Sequence, residues 1–241
     1  MSPSDIRAVL VAIPVQNEEQ LLPRCLTALQ AAMDRLDEAP GRVRASVMLA
    51  LDSCDDGSAA IANASPFPWL AVDGRNVGLT RATAIDRLLG QVPVADLPHT
   101  WIANTDADSA VPANWLTQQV ALAAAGVDLM IGTVRPDLAE LDPARRRAWL
   151  ATHTPGVANG HVHGANLGIR ADVYTAIGGF AAVTAHEDVA LVEAARAAGA
   201  SEAASDKCWV LTSGRTQGRA PGGYARYLRE DLGDSLVPAG D

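Results

Sequence analysis

An α/β fold with a largely parallel sheet is what this sequence predicts, and three observations predict it. Short apolar runs recur along the 241 residues, as expected of strands buried on both faces. Between them lie longer stretches whose apolar residues fall at helical spacing. Two of the apolar runs end in acidic clusters, and in open α/β sheets ligands gather beyond the carboxyl ends of strands.

The first run, Ala8 to Ile13, reads as a strand stopped by Pro14. Asn17 is placed to cap a helix with Glu18 and Glu19 in its first turn and an apolar stripe of Leu21, Leu22, Cys25, Leu26 and Leu29. A second strand, Val43 to Leu51, runs into Asp52-Ser53-Cys54-Asp55-Asp56-Gly57, after which Ser58 caps a short helix reaching Ala64. Trp69 to Val72 is a third strand, and Leu79 to Leu89 a helix bracketed by Gly78 and Gly90. Thr100 to Ala103 is a fourth strand, leading into Asn104-Thr105-Asp106-Ala107-Asp108. Pro112 suits the first turn of the next helix and Gly126 its end. Val127 to Val134 is a strand, Asp142 to His153 a helix, Gly156 to Gly164 a loop and Ala165 to Arg170 a short strand. Ala185 to Ala198 is a helix closed by Gly199, Cys208 to Thr212 a last strand and Tyr224 to Leu232 a last helix. The alternation becomes irregular only near residues 135–160, and no internal repeat or low-complexity linker appears.

Hydrophobic residues make up 49% of the chain and charged residues 20%, which supports a buried core and excludes disordered or collagen-like structure. The formal charge of −9 argues against a nucleic-acid or anionic-membrane surface, since both call for clustered positive charge. Cys25, Cys54 and Cys208 are odd in number and widely spaced, which fits a reducing compartment better than a disulfide framework. The first ten residues show no basic region followed by an apolar core, so no export signal is expected. The most apolar stretch, Val120 to Gly132, is interrupted by Gly126 and Asp128 and falls short of the roughly 20 residues of a spanning helix. A soluble, cytoplasmic protein without a transmembrane segment is expected, with peripheral membrane contact left open.

Several common chemistries lack their residues. No Gly-x-Gly-x-x-Gly follows the first strand, no phosphate-cradling Gly-x-x-x-x-Gly-Lys occurs, and zincin and nucleophile-elbow patterns are missing. Carboxylates at strand ends remain. Asp106 and Asp108, two residues apart in a turn, can point to one locus, and hard oxygen ligands of this kind suit Mg²⁺ or Mn²⁺ with room for diphosphate oxygens; an ordinary acidic turn is the competing reading. Glu187 is accounted for by a capping box with Thr184, which leaves Asp188 as a candidate general base. His161 and His163 read as loop histidines, Asp52, Asp55 and Asp56 as an Asx-turn, and Arg145, Arg146 and Arg147 as a solvated helix face.

In order, these pieces resemble the family 2 glycosyltransferases of the GT-A fold. The resemblance rests on Val11-Ala12-Ile13-Pro14-Val15-Gln16-Asn17-Glu18-Glu19, Leu51-Asp52-Ser53-Cys54-Asp55-Asp56-Gly57-Ser58 and Asn76-Val77-Gly78 with Arg81-Ala82. It continues through Asn104-Thr105-Asp106-Ala107-Asp108, Gly164-Ala165-Asn166-Leu167-Gly168-Ile169-Arg170, Ile177-Gly178-Gly179-Phe180 and His186-Glu187-Asp188-Val189-Ala190-Leu191. It implies a single domain with a Rossmann-like, nucleotide-binding mixed sheet flanked by helices. It also implies an inverting, metal-dependent transferase that moves a sugar from a nucleoside diphosphate-sugar, a uridine diphosphate sugar first, to an unknown acceptor hydroxyl. Pro14, Glu18 and Asp52 would then line the base pocket and Arg81 would help hold the diphosphate. Asp106 would approach ribose and metal, with Asp108 as metal ligand for Mn²⁺ or Mg²⁺. Gly164, Ala165 and Asn166 would wall the donor sugar, and Asp188 would be the base with Glu187 beside it.

The sequence departs from that pattern in three places. No histidine follows His186, and Thr212-Ser213-Gly214-Arg215 stands where a late metal-binding histidine is common in the family. Gln16-Asn17 replaces a common aromatic-Asn pair. The chain ends soon after the core, which argues against processive polymer export. The expected division is a transferase domain over 1–212 and a C-terminal flap or tail over 213–241, rich in Gly and Arg, with Arg215 or Arg219 closing over the diphosphate. Two alternatives compete: a catalytically silent nucleotide-sugar-binding module, which the missing histidine favours, and a sugar-phosphate nucleotidyltransferase, whose Gly-rich loop and lysine are not found here.

Overall fold

β1 (Ala8–Val15) is apolar at every position because it is flanked by two parallel neighbours, β2 (Arg44–Asp52) and β4 (Thr100–Asn104), and covered on both faces. Val9, Val11 and Ile13 enter one core, Leu10 and Ala12 the other, as the twofold period of a strand requires. The computed structural model describes residues 5–183, 185–218, 223–230 and 232. Within them the strand order is β3 (Trp69–Val72), β2, β1, β4, β6 (Leu167–Arg170), β5 (Leu129–Pro136), β7 (Glu202–Thr212). β6 runs antiparallel to both β4 and β5, and the other pairs are parallel, so the sheet is mixed.

Helices cover both faces. One core holds α1 (Leu22–Asp37), α2 (Ser58–Ala64) and α4 (Trp115–Ala124) against the sheet, with Trp101 and Trp115 fully buried. The other holds α3 (Val77–Leu89), α6 (Ala171–Ala176) and α7 (Glu187–Ala197). A smaller cluster joins α5 (Pro143–Thr152) to α8 (Tyr224–Arg229) through Leu141, Trp149, Leu228 and Leu232. The described part of the C-terminal segment thus packs on α5, where Arg145 Nε also donates to the Leu228 carbonyl at 2.9 Å.

Most predicted elements are found within a few residues, with informative exceptions. Pro14 does not stop β1 but pairs with Ala50 of β2. The ladder to β4 ends at Ala12–Asn104, so a missing N–H is tolerated beyond it. Asn17 does not cap α1. It sits at φ 52° and its Oδ1 accepts from the Asp55 N–H at 2.9 Å, tying two loops together, while α1 starts at Leu22 with a proline in its first turn. Ser58 is the first residue of α2 rather than its cap, and its hydroxyl accepts from the Glu18 N–H at 2.8 Å. β7 starts at Glu202, six residues ahead of the expected Cys208, and α6 was not foreseen. No helix among the described residues is long and apolar enough to cross a membrane.

Candidate active site

A cleft of about 460 Å³ opens where β1, β2 and β4 end. Parallel strands deliver their carboxyl ends to one edge of the sheet, and that is where the predicted acids meet. Pro14, Glu18, Asp52, Arg81, Asp106, Asp108, Gly164, Ala165, Glu187 and Asp188 all line it. Asn166 does not. It is fully buried, its Oδ1 accepts from Trp115 Nε1 at 2.9 Å, and its Nδ2 donates to the carbonyls of Thr133 and Cys208, both at 3.0 Å. The expected donor contact at Asn166 is therefore corrected: the amide ties α4, β5 and β7 behind the wall of the cleft.

Asp52 ends β2 and is buried. Its carboxylate accepts from the backbone N–H groups of Gly74 (3.0 Å), Arg75 (2.8 Å) and Asn76 (2.9 Å), and from the hydroxyls of Ser53 (3.0 Å) and Thr80 (2.8 Å). Burial alone would raise its pKa. The donors from Arg75, Gly74, Thr80 and Asn76 outweigh that and hold it below the ordinary carboxylate value. The group organises the turn before α3, whose N-cap is Asn76.

Two arginines divide the acids at the end of β4. Arg81 of α3 is buried; its Nη1 donates to Glu187 Oε1 at 2.9 Å, its Nη2 donates to Asp106, and its guanidinium lies 5.7 Å from the Phe180 ring centre. Burial pulls its pKa down, but Asp106 and Glu187 push it above the usual value, so it stays a cation. Arg215 donates to both carboxylate oxygens of Glu18, at 3.0 and 2.6 Å, and to Asp108 Oδ2 at 2.8 Å. Glu140 holds that segment by accepting from the Ser213 hydroxyl (2.9 Å) and the Gly214 N–H (2.7 Å). Asp108 Oδ1 also accepts from the Ser109 hydroxyl at 3.1 Å. Burial, and then the nearby Asp106, push the Asp108 carboxyl up to about 6. Arg219, the other predicted closing residue, lies outside the described residues.

Asp188 faces the cleft from the first turn of α7. Its Oδ2 accepts from the Gly164 N–H at 2.7 Å and its Oδ1 from the Val189 N–H at 2.8 Å, which fixes the carboxylate plane. Glu187 is the first helical residue, preceded by His186 as N-cap at φ 61°. The expected capping box would make Glu187 the third helical residue; instead its carboxylate meets Arg81, and Thr184 lies outside the described residues. Burial raises the Glu187 pKa against the pull of Arg81.

His163, read from sequence as a plain loop residue, lines the cleft and meets the Tyr224 ring edge-on at 5.2 Å. Burial pushes its pKa down to about 4, so it is neutral at pH 7. No local pattern marked it; only its position before Gly164 hinted at the site.

Among the described residues, six carboxylates line the cleft (Glu18, Asp52, Asp106, Asp108, Glu187 and Asp188) against three guanidiniums (Arg75, Arg81 and Arg215), an excess of three acidic groups over the arginines. Such a surface repels a diphosphate unless a cation comes with it. Asp106 and Asp108 suit a divalent ion that keeps waters and takes substrate phosphate oxygens. Among the described residues no three His, Cys, Asp or Glu side chains gather as a ready metal cage. Their carboxylate oxygens are of the kind such an ion takes, and Arg81 and Arg215 occupy them in this structure.

The chain resembles known proteins over most of its length. The family model described as glycosyl transferase family 2 matches residues 10–177. Two curated relatives, each named undecaprenyl-phosphate 4-deoxy-4-formamido-L-arabinose transferase, are 34% identical (Pseudomonas savastanoi pv. phaseolicola) and 32% identical (Pseudomonas syringae pv. syringae) over 154 residues. Those matches cover 61% of this chain and 41% of each relative, so the chain spans about two fifths of their length. Among solved structures, the mannosyltransferase PcManGT from Pyrobaculum calidifontis, in complex with GDP-Man and Mn²⁺, superposes with a TM-score of 0.61 at 20% identity, covering 90% of this chain and 60% of that one. S. aureus TarS 1-349 gives 0.60 at 15% identity, covering 87% and 61%. Glucosyl-3-phosphoglycerate synthase from Mycobacterium tuberculosis, in complex with Mn²⁺, UDP-glucose and phosphoglyceric acid, gives 0.56 at 16% identity, covering 95% and 80%. The fold is that of the GT-A glycosyltransferases.

Proposed function

The chain belongs to glycosyl transferase family 2, and from that premise we propose that it moves a sugar from a nucleoside diphosphate-sugar to an acceptor hydroxyl with inversion at the anomeric carbon. The observation that carries this reading is the convergence of Asp106, Asp108 and Asp188 on one cleft of a GT-A fold. Asp106 and Asp108 would hold Mn²⁺ or Mg²⁺. When bound, the ion supplies positive charge that offsets the charge gathering on the departing diphosphate.

Asp188 takes the proton from the acceptor hydroxyl, with its carboxylate aimed by the Gly164 N–H. Glu187, fixed by Arg81, lies beside it to orient hydroxyls of acceptor or sugar. Gly164 and Ala165 wall the donor sugar. Pro14, Glu18 and the Asp52-organised turn form the base end. Arg81 acts mainly by positioning Asp106 and Glu187, since both Nη atoms are engaged by those acids. Residues 213–218 would act as a closing element, with Arg215 donating to Asp108 beside the donor site. The three free cysteines suit a cytoplasmic setting.

The curated relatives favour a second acceptor, a polyprenyl phosphate. The net negative cleft weighs against an anionic acceptor and for a hydroxyl. One experiment addresses both. UDP, GDP and their sugars are screened by thermal shift with and without Mn²⁺; a shift that needs both nucleotide and ion is expected. Asp188→Asn should keep that shift and lose at least about 10²-fold in transfer, the low end for a general base. A phosphate oxygen is already anionic and needs no base. Undiminished transfer by Asp188→Asn overturns the hydroxyl mechanism.

A further inference from the structure

Two arginines reach the acids beyond β4, and the fold holds them differently. The Arg81 side chain is 3% exposed, passes over Gly164 and keeps its two Nη atoms on Asp106 and Glu187. It belongs to the packed interior. The Arg215 side chain is 32% exposed and extends from the segment just after β7.

The base of that second arm is fixed. Glu140 accepts from the Ser213 hydroxyl and the Gly214 N–H, and a methyl group added at Gly214 would lie 2.5 Å from the Asp137 carbonyl oxygen. The acid it meets is fixed as well. Arg24 donates to the Asp108 carbonyl at 3.3 Å and to Asp137 Oδ2 at 3.2 Å, so Asp108 and the base of the arm are tied to the same turn. What can change is the acceptor that the guanidinium chooses.

Both oxygens of Asp108 are engaged. Oδ1 accepts from the hydroxyls of Ser109 (3.1 Å) and Thr212 (3.3 Å), and Oδ2 from Arg215 Nη2 (2.8 Å). A hydroxyl rotates and can turn a lone pair toward a cation. A guanidinium has no acceptor and always carries its charge, so it and a divalent ion repel each other on one carboxylate. An ion that takes Asp108 therefore has to turn Arg215 away.

The turn required is small. Arg215 Nη1 donates to Glu18 Oε2 at 3.0 Å, and Nη2 is shared between Glu18 Oε1 at 2.6 Å and Asp108. Glu18 can keep its two-pronged hold on the guanidinium while one N–H comes free. A diphosphate oxygen is an acceptor for that N–H. The ion without the diphosphate leaves the N–H unpaired, and the diphosphate without the ion meets the acidic excess of the cleft.

We propose that Arg215 is a displaceable cation that couples the ion to the nucleotide. It holds Asp108 until a divalent ion and a nucleoside diphosphate arrive together, then stays on Glu18 and passes its freed N–H to the diphosphate. The role rests on the transferase reading above, in which Asp108 is a metal ligand. Ion and nucleotide then favour each other by more than their direct bond, and the ion alone is disfavoured.

The test reads binding, not turnover. Electron paramagnetic resonance of free Mn²⁺ measures ion binding by the full chain, and calorimetry measures UDP and GDP binding in saturating Mn²⁺. Arg215→Met should bind Mn²⁺ alone at least about fivefold tighter than the parent, and the preferred nucleotide at least about fivefold more weakly. The opposite signs mark the role, since a residue that only supported the fold would lower both affinities. Arg215→Lys keeps a charge for buried Glu18 and Asp108 but loses the fork, and should shift both affinities the same way by less. Arg75→Met removes a cleft arginine whose guanidinium does not bond Asp108 among the described residues, and should leave Mn²⁺ binding close to that of the parent.

The role is refuted if the folded Arg215 variants bind Mn²⁺ no tighter than the parent, if they bind nucleotide as well as the parent does, or if Arg75→Met tightens Mn²⁺ as much as Arg215→Met. Mn²⁺ that binds parent and variants alike, and still strengthens nucleotide binding, removes this role and leaves the transferase reading standing. No response to Mn²⁺ or nucleotide in any of the four proteins removes both.

Discussion

A methyl group added at Gly164 would lie 1.9 Å from Nη1 of Arg81, so this position is glycine because a buried guanidinium passes over it. Gly164→Ala should displace Arg81 from both Asp106 and Glu187 and cost about 1–3 kcal/mol, read as a shifted urea midpoint. Asp52 is the complementary case, a side chain over-supplied with partners. Its pKa is lowered by folding, so it adds stability that is complete above its unfolded value near 3.8 and is lost as pH falls through the folded value. Asp52→Asn should cost roughly 2 kcal/mol at pH 7, because the new amide puts a donor against donors. Urea unfolding of parent and variant should converge as the solution is made acid. A gap that stays constant down to about pH 2 would contradict the assigned ionisation.

Among the elements, α3 has the cap that matters most to the site. Asn76 Oδ1 accepts from the Leu79 N–H at 2.9 Å, and its Nδ2 donates to the Val183 carbonyl at 2.8 Å. Asn76→Ala should lower stability by about 1 kcal/mol and loosen the start of the helix that carries Arg81, which amide exchange at Leu79 and Thr80 would report. β1, β4 and the second half of β2 were legible in the sequence because strands buried on both faces leave continuous apolar runs, and β3, a half-exposed edge strand, from its four apolar residues alone. β6 was legible as a strand but not in direction, since Leu167 to Arg170 carry nothing that tells antiparallel from parallel. The first half of β7 was missed because Glu202 to Lys207 holds only alanines and polar residues, with no large apolar side chain, as an edge strand with a single neighbour can. Asn17 misled because a residue good at capping is also good at the left-handed conformation it adopts here. Asp52, Asp106 and Asp108 were readable as cleft-lining because strand ends position them, whereas Glu187 and Asp188 reach the cleft from the first turn of α7. Asn166 was misplaced and His163 passed over because their directions are set by packing across the sheet, through Trp115 and Tyr224, which no local pattern records.

At the scale of the whole molecule, the cleft gathers six carboxylates and answers them, among the described residues, with three cations. All three are arginines. The chain's one lysine, Lys207, does not line the cleft. A guanidinium keeps its proton under any condition in which a protein survives, whereas an ammonium can lose it. Nucleotide affinity should therefore run level from about pH 7 to 9, with no basic limb belonging to a cleft cation. A calorimetric titration across that range would show it, and a fall in affinity there would mean that some other cation reaches the donor.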